Sequence, residues 1–154
     1  MSFFSNYIYI IDEFEEELIM NYYEEIKDLI EKKEVKDGVR RLSYNSDKLK
    51  TYYEIGKLLV EAQGGEKKTR YGDMLIKKWS KKLMKDYGKG YSITNLKNMR
   101  KFYIIQKGQP LVDRLTWTNW TLLFPIKNEN ERNYYINQCI LNNLSKRELA
   151  KLIK

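Results

Sequence analysis

Residues 67–107 read KKTRYGDMLIKKWSKKLMKDYGKGYSITNLKNMRKFYIIQK, and the fold turns on how that stretch is parsed. Leu75, Trp79, Leu83 and Tyr87 recur every four residues with Ile76 beside them, the period of one face of a helix. Lys78, Lys82, Lys85 and Lys89 fall on the other side, with Lys77 and Lys81 flanking them, so the helix is amphipathic with an ammonium-rich outer face. Gly88-Lys89-Gly90-Tyr91 then interrupts the pattern, a four-residue turn of the length that joins helix pairs. Ser92 is placed to cap the next helix, with Asn95 three positions on able to reach back as in a capping box. Along that helix Leu96, Met99, Phe102, Tyr103 and Ile104 group on one side, and Thr94, Lys97, Asn98 and Lys101 on the other. The segment is predicted to be a helix-turn-helix-like unit.

The same pattern extends in both directions. Phe14, Leu18, Ile19, Tyr22, Tyr23, Ile26, Leu29 and Ile30 predict a helix over Asp12 to Val35, broken at Asp37-Gly38. A second helix from about Ser46 carries Leu49, Tyr52, Tyr53, Ile55, Leu58 and Leu59 and ends at Gly64-Gly65. Beyond the basic unit, Thr116 to Phe124 reads as a short aromatic helix stopped by Pro125, and Glu129 to Leu141 as another helix. Ser145 and Glu148 cap a last one, Lys146 to Lys154, with Leu149, Leu152 and Ile153 facing inward. The expectation is an all-α chain, a single helical domain of about six helices. It divides into an acidic N-terminal helical segment, residues 1–44, and a helical domain, residues 45–154.

Charge narrows the function. Residues 67–107 hold thirteen Lys/Arg and two acids, Asp73 and Asp86, an excess of +11 against +8 for the whole chain. Residues 1–46 are acidic, with eleven Asp/Glu and six Lys/Arg. A basic helix pair suits a row of phosphates, and the residue types of the second helix suit base edges: Asn for adenine, Lys for guanine, the Thr methyl for thymine. Lys77, Lys78, Lys81, Lys82, Lys85 and Lys89 are therefore candidate phosphate contacts. Thr94, Lys97, Asn98 and Lys101 are candidate groove readers, and Tyr91 in the turn a candidate stacking residue. The plainer reading of the lysine run is a solvated face, and most aromatic residues fall at helical spacing where a core needs them.

Other chemistry is sparse. No histidine is present, which removes the usual general base and zinc ligand. Cys139 is the one cysteine, so no intramolecular disulfide can form; Ile136 and Ile140 beside it predict a buried thiol. Glu15 to Glu17 and Glu24-Glu25 lack the companion acids of a cation site and are read as solvated. The glycine pairs lack the spacing of a phosphate loop. No metal, no cofactor and no catalytic residue is expected. The start has no basic n-region and no stretch approaches the ~18 apolar residues of a spanning helix, so a cytoplasmic protein without membrane contact is expected.

From about Asn45 onward the chain resembles the N-terminal domain of the YhcG-type proteins. The likeness lies in Tyr53-Glu54-Ile55-Gly56, Tyr71-Gly72, Gly90-Tyr91-Ser92, Asn95-Leu96 and Met99-Arg100-Lys101-Phe102-Tyr103. It continues in Leu115-Thr116-Trp117-Thr118, Arg132-Asn133-Tyr134-Tyr135 and Ser145-Lys146-Arg147-Glu148-Leu149. The resemblance implies a helical targeting domain, of a kind usually followed by a restriction-endonuclease-type nuclease domain that holds the catalytic residues. It also implies no catalysis within these residues. The family pattern tends to carry a His after its Trp-Ser-type pair, where this chain has Asn119. The function expected is a non-catalytic nucleic-acid-binding module, for DNA rather than RNA, in a nuclease or defence-related system. The alternative is a regulator or inhibitor that docks on a nuclease or ribonucleoprotein.

Overall fold

Tyr23, Ile26 and Ile30, three and four residues apart, are all buried, and they form the inner stripe of the first helix, α1 (Phe3–Val39). The computed structural model describes the backbone of residues 3–39 and 44–154 and the side chains of residues 13–33 and 45–154. After α1 come α2 (Tyr44–Gln63), α3 (Thr69–Tyr87), a single 3-10 turn (Lys89–Tyr91), α4 (Ile93–Gln106), α5 (Trp117–Leu123), α6 (Glu129–Asn142) and α7 (Lys146–Ile153). No strand occurs among the described residues, and the domain is all-α.

α1 is longer than its apolar periodicity indicates. It passes through Asp37-Gly38, where a break is expected, and ends at Val39. One glycine costs a helix only about 1 kcal/mol, too little to end it without a second signal. The connection that follows, residues 40–43, lies outside the described residues.

α2 is the central helix, packed between α1 and α4. Its Leu49, Tyr52, Ile55 and Leu59 meet Ile26 and Ile30 on one side and the buried Leu96, Met99 and Phe102 of α4 on the other. The aromatic residues of α5 close the far end of this core. Phe102 lies 5.4 Å from Trp117 and 5.1 Å from Trp120, and Trp120 stacks on Phe124. α6 and α7 then pack on α5, where Asn119 Nδ2 donates to the Leu144 carbonyl at 2.9 Å and Leu149 is fully buried. Leu152 does not dock inward as its spacing suggests. It is 41% exposed and borders an open surface groove beside Leu144 and Glu148.

Helix ends follow local chemistry. Ser92, Thr116, Asn128 and Ser145 each accept a hydrogen bond from the backbone N–H three residues on, at 3.0–3.2 Å. Asn143 ends α6 in the left-handed conformation, with φ 48°. The capping box at α4 is only half formed. Asn95 donates through Nδ2 to the Gly90 carbonyl and accepts from Trp117 Nε1 at 2.8 Å, so its side chain ties the turn to α5 instead of reaching Ser92.

Candidate nucleic-acid interface

α3 turns Leu75, Ile76, Trp79, Ser80 and Leu83 inward, which leaves Lys77, Lys78, Lys81, Lys82 and Lys85 exposed along its outer face. Lys89, in the 3-10 turn, is exposed as well. The lysines differ in their neighbours. α1 runs beside α3 in the same direction, with Tyr23 against Trp79 at 5.8 Å and Tyr87 Oη donating to Glu31 Oε1 at 2.7 Å. Lys82 Nζ sits 5.4 Å from the centre of the Tyr23 ring, a cation–π contact, and Lys78 borders a groove whose other wall carries Glu15 and Glu16. At 100° per residue Lys77 and Lys81 point away from α1, whereas Lys85 projects within about 20° of Lys78. Among the described residues none of Lys77, Lys81, Lys85, Lys89 and Lys101 forms an ion pair.

The turn between α3 and α4 is held from inside. Gly88 takes φ 93°, a left-handed conformation that favours glycine, and its N–H donates to the Met84 carbonyl. Ser80 Oγ donates to the Tyr91 carbonyl at 2.8 Å. Tyr91 is the candidate that does not join the others. It is 3% exposed, with its ring edge-on to Tyr87 at 6.2 Å, and it cannot meet a base without leaving the core. Its position in a glycine turn suggests exposure; its apolar ring is what anchors that turn.

On α4, Thr94, Lys97 and Lys101 are exposed and Asn98 is half-buried, so the four remain on one side of the helix. Lys97 joins this row to α3, with its Nζ 3.7 Å from Asp73 Oδ2. The centre of this junction is Arg100, which is not among the sequence candidates. It is 9% exposed, donates through Nη1 to Gln63 Oε1 at 2.9 Å and through Nη2 to Asp73 Oδ1 at 2.7 Å, and so links α2, α3 and α4. Gly72 makes the room, because a Cβ there would come within 3.0 Å of both Gln63 and Arg100. Partial burial pushes the Asp73 carboxyl up, but the hydrogen bond and charge of Arg100, joined by Lys97, outweigh it and hold the group below its ordinary value. A Tyr-Gly pair followed by an acid, and a lone Arg on an otherwise apolar α4 face, are the signals that could have found it.

Cys139 is buried, and burial pushes its thiol pKa up, away from reactivity. Among the described residues no three His, Cys, Asp or Glu side chains gather into a group that could hold a metal ion. No helix among them is long and apolar enough to cross a membrane.

The chain is 48% identical over 63 residues to an Escherichia coli (strain K12) protein named "Putative nuclease YhcG". Those residues are 40% of this chain and 17% of that protein, so the chain spans a small part of its relative's length. No solved structure matches. The profile of the DUF1016 N-terminal domain matches residues 25–154, from the middle of α1 to α7, and the chain belongs to that family.

Proposed function

We propose that this domain binds nucleic acid, DNA rather than RNA, without catalysing a reaction itself, and that it serves a nuclease. The observation that carries the reading is the arrangement of exposed cations: Lys77, Lys81, Lys85 and Lys89 along α3 and its turn, continued on α4 by Lys101 and by Lys97, which is paired with Asp73. Phosphates would lie along the α3 row, and Thr94, Lys97, Asn98 and Lys101 would face the bases. α3, the turn and α4 would then act as a helix-turn-helix-like unit. The nuclease connection comes from the relative's name, and the basic face suits a targeting role beside such an activity.

A fluorescence anisotropy titration of duplex DNA at several salt concentrations tests this. About five neutralised phosphates give log affinity against log salt a slope near −4 to −5. Absence of binding at low salt, or binding that ignores salt, overturns the proposal. Tighter binding to RNA of matched length overturns the preference for DNA.

A further inference from the structure

Two large apolar side chains stand open within the basic face. Met84, near the end of α3, is 39% exposed, and Ile93, the first residue of α4, is 40% exposed. Both border the seam between the two helices. At 100° per residue Met84 projects within about 40° of Ser80 and about 20° of Asp73, and Ile93 within about 20° of Arg100 and about 40° of Lys97. Ser80 bonds to Tyr91, and Asp73 pairs with Arg100 and Lys97, so these residues mark the flanks along which α3 and α4 face each other. Around the seam lie the exposed cations Lys77 and Lys81 of α3, Lys89 of the turn, and Lys97, which is paired with Asp73.

The start of α4 does not need Ile93. The apolar residues placed to staple it are Tyr91, before the Ser92 cap, and Leu96, four positions after it, and both are buried. A β-branched residue in the open gains nothing from helix propensity either. Single apolar residues scattered on a surface need no explanation. Two that share one seam inside a ring of ammonium groups fit a ligand that is anionic outside and apolar within. Duplex DNA is such a ligand: phosphates line its backbones, and the thymine C5-methyl is the apolar group that the base edges present in the major groove. In helix pairs that enter this groove the N-terminal residues of the second helix reach the base edges, and Ile93 and Thr94 hold those places in α4. We propose that Ile93, with the adaptable Met84 beside it, contacts thymine methyl groups. The contact selects thymine-containing duplexes and favours DNA over RNA, whose uracil lacks the methyl. It rests on the reading of the α3 and α4 lysines as a duplex-binding face.

A duplex pool enriched from random sequence by binding to the full chain, copied once with dTTP and once with dUTP, tests this in anisotropy titrations. The two copies share sequence and hydrogen-bonding edges and differ by the methyl groups. The uracil copy is expected to bind about fourfold more weakly, the equivalent of one buried methyl at about 0.8 kcal/mol. Ile93→Ser brings the two copies to equal affinity with unchanged helical circular dichroism, and with an unchanged salt slope because no charge is removed. Met84→Gln lowers the ratio as well and is the second variant should Ile93→Ser lose helix. Wild-type binding that is salt-dependent but equal on both copies overturns the methyl contact and leaves the lysine face standing as a duplex-binding surface. Absence of duplex binding at low salt overturns both. A ratio that survives both substitutions overturns the assignment to this seam. Tighter binding to phosphatidylserine vesicles than to duplex, lost in Ile93→Ser, overturns it too and gives the patch to an anionic membrane.

Discussion

The Met99 carbonyl of α4 lies where a side chain on Gly56 of α2 would have to be. A Cβ at Gly56 would come within 3.0 Å of the Met99 carbonyl and of Tyr103 Cβ, backbone and near-backbone atoms that cannot swing aside. This close approach explains why α2 and α4 form the most extensive helix pair among the described residues. Gly56→Ala sets two effects against each other: alanine is favoured in a helix by about 1 kcal/mol, while overpacking a rigid contact costs about 1–3 kcal/mol or more. The steric term wins, so the substitution lowers stability by about 2 kcal/mol in urea denaturation. Gly90, where a Cβ would meet nothing within 4 Å, is the control: Gly90→Ala leaves stability within about 0.5 kcal/mol.

Asp73 links pH to the same region. Its carboxyl is held below its ordinary pKa by Arg100 and Lys97. A depressed carboxylate stabilises the fold above its unfolded pKa, and that contribution is lost as pH falls through the folded one. Stability therefore declines below about pH 4 partly through Asp73. Asp73→Asn removes a charged partner from the buried Arg100 and lowers stability at neutral pH by about 1.5–3 kcal/mol. Its deficit relative to wild type shrinks as pH drops, because the wild type then carries a protonated acid in the same place. Denaturation curves at neutral and strongly acidic pH check the sign.

Helices are legible wherever one face has to be apolar. Leu75, Trp79 and Leu83 are spaced as a buried stripe and are one, and Ser92, Thr116 and Ser145 cap the helices they precede. Junctions between distant elements are not legible. The place of Arg100 on an apolar face hints at burial, but nothing local says that Gln63 and Asp73, 37 and 27 residues away, converge on it. The lysine face shows the same limit: a periodic pattern gives its direction but not that α1 approaches Lys82 and Lys78 from one side. Tyr91 departs from its expected role because turn residues are usually solvated, and here the ring supplies the apolar anchor that the turn backbone lacks.

Tyr87 gives a spectroscopic handle on the contact between α3 and α1. Its hydrogen bond to Glu31, with burial and the nearby charges of Glu31 and Asp86, pushes its pKa up to about 12. A raised phenol pKa contributes stability that is complete below the unfolded value of about 10 and is lost as pH rises through the folded one. Tyr87→Phe removes the bond, costs about 0.5–1.5 kcal/mol at neutral pH and removes one late-titrating tyrosine from an ultraviolet alkaline titration. An unchanged late phase in the variant would place the bond elsewhere.

The neighbours of each lysine predict which matter most to a polyanion. Lys77 and Lys81 point away from α1 and have no ion pair among the described residues, whereas Lys82 is engaged over the Tyr23 ring and Lys78 faces a groove with two carboxylates on its far wall. A phosphate near Lys78 or Lys82 would meet the negative field of α1, so these two release less free energy on binding. Replacing Lys77 and Lys81 together with Ala should flatten the salt slope of DNA binding by about 2, close to 1 for each phosphate that is no longer neutralised. Replacing Lys78 and Lys82 together should change the slope by less than half of that, although the bulk charge removed is identical. If the pairs behave alike, only net charge matters and the α3 row has no preferred edge. Anisotropy titrations of the two double variants, run over the same salt series as wild type, distinguish a positioned interface from a merely basic surface.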